Sequence, residues 1–142
     1  MAIQKHPLRG TILACDFNTG FSAPEMVKLR PVVLVSNPIR ARPNLCTVVC
    51  CSTREPKPIL PYHCVLDLDP PMPIRWQSNQ VWVKADMIYA VSFNRLNLIS
   101  MGKDQQGKRQ YRYDVLSDAQ MRDVDACILN GIGLGRLTKH LE

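Results

Sequence analysis

The chain has 142 residues, 46% of them hydrophobic, and a formal net charge of +6 at pH 7. That length suits one domain, and the apolar share supports a buried core without staples, which excludes wholesale disorder. No apolar run approaches the ~18 residues of a membrane span, and no apolar stretch follows Lys5 and Arg9, so the expectation is a soluble cytoplasmic protein without a secretory leader, whose excess of 18 Lys and Arg over 12 Asp and Glu favours a polyanionic partner.

Gly10 to Phe17 alternates well enough to read as a first strand. Asn18 to Leu29 breaks the alternation with Gly20, Pro24 and mixed charges and reads as a long loop. Pro31 to Asn37 opens with a continuous aliphatic run, the pattern of a strand buried on both faces. Leu45 to Ser52 and Tyr62 to Leu68 read as the third and fourth strands, separated by a charged loop from Arg54 to Pro58. Asp69 to Pro73 holds three prolines and cannot lie in a central strand. Val81 to Lys84 is a short fifth strand, which Asp86 to Val91 extends.

Leu96 to Ser100 and Gln110 to Tyr113 read as the arms of a hairpin, with turn residues from Gly102 to Gly107 between them. Ser117 is an N-cap with Gln120 three residues on, a capping box. Met121, Val124, Ile128 and Leu129 fall on one helical face, Gly131 to Gly135 stops the helix, and the tail to Glu142 reads as frayed. Many short strands, proline-rich links and one late helix predict a mainly β fold, a small barrel with a C-terminal helix.

The six cysteines, Cys15, Cys46, Cys50, Cys51, Cys64 and Cys127, include no Cys-x-x-Cys pair. In a reducing compartment they read as small buried hydrophobes, with Cys46 and Cys50 on one strand face and Cys51 on the other. No metal is expected. His63 reads as a packed strand residue.

Three clusters carry chemistry. Glu25 and Arg30 stand five residues apart before a buried strand, with Pro31 fixing the chain after the guanidinium. The plain alternative is a surface ion pair worth ~0–1 kcal/mol. Ser52, Thr53 and Arg54 place two hydroxyls and a base at a strand end, where ordinary turn hydrogen bonds are the alternative. Lys84 and Asp86 bracket Ala85, and the alternative there is a charged, solvated sheet edge.

Read in order, these clusters resemble the PemK/MazF family of type II toxin–antitoxin systems. Gly10-Thr11-Ile12 with Asp16-Phe17 is similar to the family's opening strand. Glu25 followed by Lys28-Leu29-Arg30-Pro31 and the aliphatic run to Ser36 is similar to its signature. Val49 to Thr53 resembles the strand ending in a hydroxyl pair, Val83 to Asp86 the later strand, and the segment from Ser117 the closing helix. The resemblance covers about residues 9–131 of a single domain spanning 1–142. Tyr62-His63-Cys64, Gly102-Lys103-Asp104 and Gly107-Lys108-Arg109 look closest to the PemK-like branch called YifN.

The resemblance implies an SH3-like, CcdB/PemK-type barrel that forms a homodimer. It implies a sequence-specific, metal-independent and cofactor-free endoribonuclease toxin that cuts single-stranded RNA through the RNA's own 2′-hydroxyl. A cognate antitoxin would neutralise it, and operator DNA would be bound only together with that antitoxin. Glu25 would be the general base and Arg30 the charge stabiliser. Ser52 and Thr53 would hydrogen-bond phosphate or ribose, Lys84 and Asp86 would orient the RNA, and the loop cations Lys28 and Arg54, with Arg40 and Arg42, would meet its backbone. Met87 stands where the family often has Gln, and Pro24 where some relatives have His. Two other readings stay open: a non-catalytic nucleic-acid or protein-binding module on the same barrel, or a diverged toxin with another target such as a topoisomerase.

Overall fold

A computed structural model describes residues 2–73 and 75–142. Its strands are β1 (Ile12–Phe17), β2 (Lys28–Leu34), β3 (Leu45–Ser52), β4 (His63–Asp67), β5 (Gln80–Ser92), β6 (Leu96–Leu98), β7 (Ser100–Lys103) and β8 (Arg109–Tyr111), followed by helix α1 (Asp118–Gly131). Six strands form one antiparallel sheet in the order β4-β5-β3-β2-β1-β6, and β7 and β8 form a separate hairpin. The fold is mainly β with a C-terminal helix, as the pattern of short strands predicts, and the sheet ends at β4 and β6.

Both faces of the sheet are packed. On one, Ile12, Val33, Val49, Leu66 and Val83 meet Met121, Val124 and Cys127 of α1. On the other, Leu13, Cys15, Phe17, Val32, Val48 and Cys50 form a second core. This explains why the run from Val32 to Leu34 does not alternate: consecutive side chains point to opposite faces, and both are dry. Cys46 and Cys50 lie in the second core and Cys51 in the first, and all six thiols are free.

Four elements differ from the sequence reading. β2 begins at Lys28 and ends at Leu34, because Lys28 and Leu29 pair with Phe17 and Asp16 and so leave the loop. β5 is one strand of 13 residues. Val49 faces Ile88 while Cys50 faces Lys84, so Ala85, Asp86 and Met87 form a bulge. Leu96 to Leu98 pairs with β1 rather than with the arm near Tyr111, because Leu96 is fully buried opposite Cys15; the hairpin arm starts at Ser100 instead. The tail is not frayed: Gly135–His140 forms a 3₁₀ turn, held where the Leu134 amide donates to Leu129 O (2.7 Å) and Thr138 Oγ1 to Gly135 O (2.8 Å).

The capping box at Ser117 and Gln120 is present in both directions. The buried stripe of α1 runs through Met121, Val124 and Cys127, with Ile128 packed beside it; Leu129 lies off that stripe. Among the described residues no helix is long and apolar enough to cross a membrane.

Candidate functional site

The loop from β1 to β2 is held by aromatic packing. Phe21 folds back edge-on against Phe17 (4.9 Å between centroids) and Tyr89 (5.4 Å). Arg95 lies 4.7 Å over the Phe21 ring, and its Nη1 donates to Asp16 O (3.0 Å) and Thr19 O (2.8 Å). Met26 is buried, and its amide donates to the Tyr89 hydroxyl at 3.1 Å. Glu25, one residue earlier, is therefore exposed on a fixed backbone. Its Oε1 accepts the Ser22 amide at 3.2 Å, and its own amide donates to Ser22 O at 2.9 Å.

Arg30 is half-buried in β2 opposite Cys15. Its Nε donates to Val27 O at 3.0 Å. Among the described residues its two terminal amino groups carry no hydrogen bond, and it forms no ion pair with Glu25. The plain surface-pair reading of these two residues is thus not what the structure contains. Lys28, exposed between Val27 and Arg30, has φ 72°, a left-handed conformation uncommon outside glycine.

The register gathers the remaining polar residues on the face that carries Arg30. Cys50 pairs with Val32 on β2 and with Lys84 on β5, and Lys84 pairs on with His63 of β4. Paired residues share a face, so Arg30 and Ser52, each two residues from the Val32–Cys50 pair, point the same way as Lys84 and His63. Burial pushes the Cys50 thiol well up, the neighbouring Cys51, Cys15 and Asp86 push it further, and Arg30 opposes them. Asp86 projects from the bulge and is exposed.

Ser52 Oγ accepts the Arg54 amide at 3.1 Å, the turn bond expected of a polar strand end, and keeps its own proton free to donate. Thr53 and Arg54 are exposed beyond it. His63 Nδ1 accepts the Leu60 amide at 3.0 Å, and burial lowers its pKa against the raising effect of Asp86. The end of α1 fixes the bulge from behind: a Cβ on Gly131 would lie 2.5 Å from Ala85 O and 3.2 Å from Asp86 N.

Arg30, Ser52 and Lys84 thus share the face on whose core the Glu25 loop is anchored by Met26 and Tyr89, while Glu25 and Asp86 are exposed and, among the described residues, neither touches Arg30 through a hydrogen bond or ion pair. A guanidinium with open amino groups, an ammonium and a hydroxyl on one face can hold an anionic phosphate, and an exposed carboxylate can accept a proton. The residues that sequence reasoning missed are the loop anchors Phe21, Met26, Tyr89 and Arg95. They come from distant segments, and only the close recurrence of Phe17 and Phe21 hinted at them.

The family described as PemK-like, MazF-like toxin of type II toxin-antitoxin system matches residues 8–131. No curated protein matches the sequence. Among solved structures, an endoribonuclease in complex with its cognate antitoxin from Mycobacterial species is 22% identical, with 91% of this chain and 97% of that one covered and a TM-score of 0.56. MazF from Deinococcus radiodurans is 14% identical, with 92% and 99% covered and a TM-score of 0.58. The Mycobacterium tuberculosis toxin MazF-mt6 is 15% identical, with 87% and 97% covered and a TM-score of 0.57. At these identities the likeness is one of fold.

Proposed function

The chain belongs to the PemK-like, MazF-like toxin family of type II toxin–antitoxin systems, and from that premise we propose that it is a cytoplasmic, metal-independent endoribonuclease that cleaves single-stranded RNA and is neutralised by a cognate antitoxin. The observation that carries this reading is the Arg30 guanidinium, whose Nε is spent on Val27 while both terminal amino groups stay open on the face shared with Ser52 and Lys84.

Glu25 takes the proton of an RNA 2′-hydroxyl. The 2′-oxygen attacks the adjacent phosphorus, the bond to the 5′-oxygen breaks, and a proton from solvent completes the leaving hydroxyl, so the other fragment ends in a cyclic phosphate. Arg30 stabilises the charge on the phosphorane oxygens; its high proton affinity makes it a poor proton donor. Ser52 and Thr53 hydrogen-bond phosphate or ribose, Lys84 and Asp86 orient the strand, and Lys28 and Arg54 meet the backbone. This chemistry uses the RNA's own nucleophile and calls for no metal.

Residues 1–142 act as one domain in this reading, and two copies form a homodimer. Operator DNA is engaged only with the antitoxin. A structure of this fold solved with its cognate antitoxin supports the partner class. Placement in the YifN-type branch rests on the short elements at Tyr62, Gly102 and Gly107.

Incubation with an unstructured RNA in EDTA tests the proposal. Wild-type protein is expected to release fragments ending in cyclic phosphate, and Glu25→Gln to lose roughly 10²–10⁴ in rate with RNA affinity nearly intact. Cleavage by Glu25→Gln at the wild-type rate would remove Glu25 from the mechanism, and cleavage only after magnesium is added would remove metal independence.

A further inference from the structure

A groove of about 590 Å³ opens on the face of the sheet opposite Arg30. That size lies within the roughly 300–1,000 Å³ of small-ligand pockets. Its floor is Ala14 and Leu29, and its walls include Trp76, Asn97 and Met101. Asn97 pairs with Ala14, which belongs to the core under α1, so its side chain points to that face. Half-buried, it makes no side-chain hydrogen bond among the described residues. Trp76 is half-buried at the rim, beside exposed Arg75.

The wall carrying Trp76 is tied down. The Trp76 amide donates to Pro73 O at 2.9 Å and the Met72 amide to Ser78 O at 2.7 Å. Arg112, with a side chain 1% exposed, donates to the carbonyls of Pro70 and Pro71 from the segment before α1.

The β7–β8 hairpin rises from the same groove, whose lining includes Ser100, Met101 and Gly102. The hairpin exposes Lys103, Lys108 and Arg109. Its one carboxylate, Asp104, accepts the Gln106 and Lys108 amides (2.9 Å each) and Gln110 Nε2 (3.1 Å). The acid therefore closes the turn, and the cations, joined by Arg75, face outward. An aromatic side chain, an open amide and one cation lining the cleft, with three more cations exposed on the hairpin whose first strand lines it, match a base joined to a phosphate chain.

We propose that this groove is a nucleobase subsite for single-stranded RNA. Trp76 stacks on the base, Asn97 hydrogen-bonds its edge, and Arg75 with the hairpin cations holds the flanking phosphates. Leu29 and Arg30 are consecutive, so the groove and the guanidinium lie on opposite sides of one strand. The base held here belongs to a nucleotide further along the strand, after the RNA has passed round the sheet, not to the one whose bond is cut. The subsite rests on the endoribonuclease reading for its substrate class and extends it to sequence choice.

Equilibrium binding of fluorescent homopolymer RNAs (oligo-A, -C, -G and -U), in EDTA and with 2′-O-methyl riboses that cannot be cut, tests the subsite apart from catalysis. The expected result is a preference among the four bases. Trp76→Ala should weaken the preferred one roughly five- to a hundredfold, the share of one stacked base, and Trp76→Phe should restore most of the loss. Asn97→Ala should flatten the preference. Thermal melting separates a folding defect from a binding one, and Arg75→Glu, at an exposed position, gives a second variant that should weaken all four. Equal binding of all homopolymers by wild-type and folded Trp76→Ala would overturn the proposal even if wild-type cuts RNA and Glu25→Gln does not. Binding of polyglutamate that disappears in Trp76→Ala would also overturn it, assigning the groove to an acidic peptide. Base preference in a protein that never cuts RNA would keep the subsite and discard the catalytic reading.

Discussion

Arg30 Nε donates to the carbonyl oxygen of Val27, three residues earlier, at 3.0 Å. The bond is made across Lys28, whose φ of 72° curls the chain back on itself at the first residue of β2. A local turn, rather than the Glu25 carboxylate, thus aims the guanidinium.

Lys28 should resist the substitution that strand preference favours. Lys28→Ile places a β-branched side chain at positive φ and should cost roughly 1–3 kcal/mol in urea unfolding. Lys28→Gly and Lys28→Asn should stay close to wild type, because both tolerate that backbone. Equal stability of the Ile and Gly variants would show that the turn opens without cost. In RNA binding, each of the three should flatten the logarithmic salt dependence by about 0.7, the share of one single-strand phosphate.

Arg30→Lys keeps a charge and loses the fork. Lysine cannot donate to Val27 through a fixed Nε while presenting two parallel N–H groups, so cleavage should stay strongly impaired. The double variant Glu25→Gln with Arg30→Lys should be little slower than the slower single, since both act on one step. Multiplying defects in single-turnover rates would mean that the residues act on separate steps.

His63 couples stability to pH. Burial holds its pKa below the ordinary 6.5, Lys84 adds to that, and Asp86 opposes it. Its Nδ1 must stay unprotonated to accept the Leu60 amide. The unfolded chain therefore binds this proton more readily, so the contribution is complete above about pH 6.5 and is lost as pH falls below it. Urea midpoints of wild type should drop across that range relative to those of His63→Asn, whose side-chain oxygen can accept the same amide without titrating. Parallel curves would take His63 out of the acid dependence.

Gly131→Ala should destabilise, although alanine suits helices better. The new methyl would meet Ala85 O and C, at 2.5 and 2.9 Å, and backbone atoms do not yield cheaply. The expected cost is roughly 1–3 kcal/mol. Because the same contact sets the bulge bearing Asp86, RNA affinity should fall as well. A stability gain would show that helix and bulge are not in contact in solution.

The sequence showed what repeats locally. Leu45–Ser52 was readable to the residue because its flanks end abruptly and its interior is aliphatic. The helix start was readable because Ser117 and Gln120 satisfy each other within one turn. Lys28 was not: its pairing with Phe17 depends on a left-handed turn that lysine gives no sign of. The bulge at Ala85–Met87 was hidden because the residue packed against it, Gly131, lies far along the chain. In the site, Glu25 and Arg30 stood out by spacing. That Arg30, Ser52 and Lys84 share one face follows only from strand order and register, which bring β2, β3 and β5 side by side.

The aromatic clamp on the Glu25 loop also sets a timetable for synthesis. Phe17 and Phe21 leave the ribosome early, but the residues that pin the loop from the other side come late, Tyr89 within β5 and Arg95 just after it. Nascent chains that stop short of Tyr89 lack both anchors, so the loop bearing Glu25 is untethered although β1, β2 and β3, with Arg30, have already been made. A chain truncated before Tyr89 is therefore expected to leave the Glu25 loop open to limited proteolysis between Phe17 and Lys28, and protection there equal to that of the full chain would show that the clamp is not what holds it.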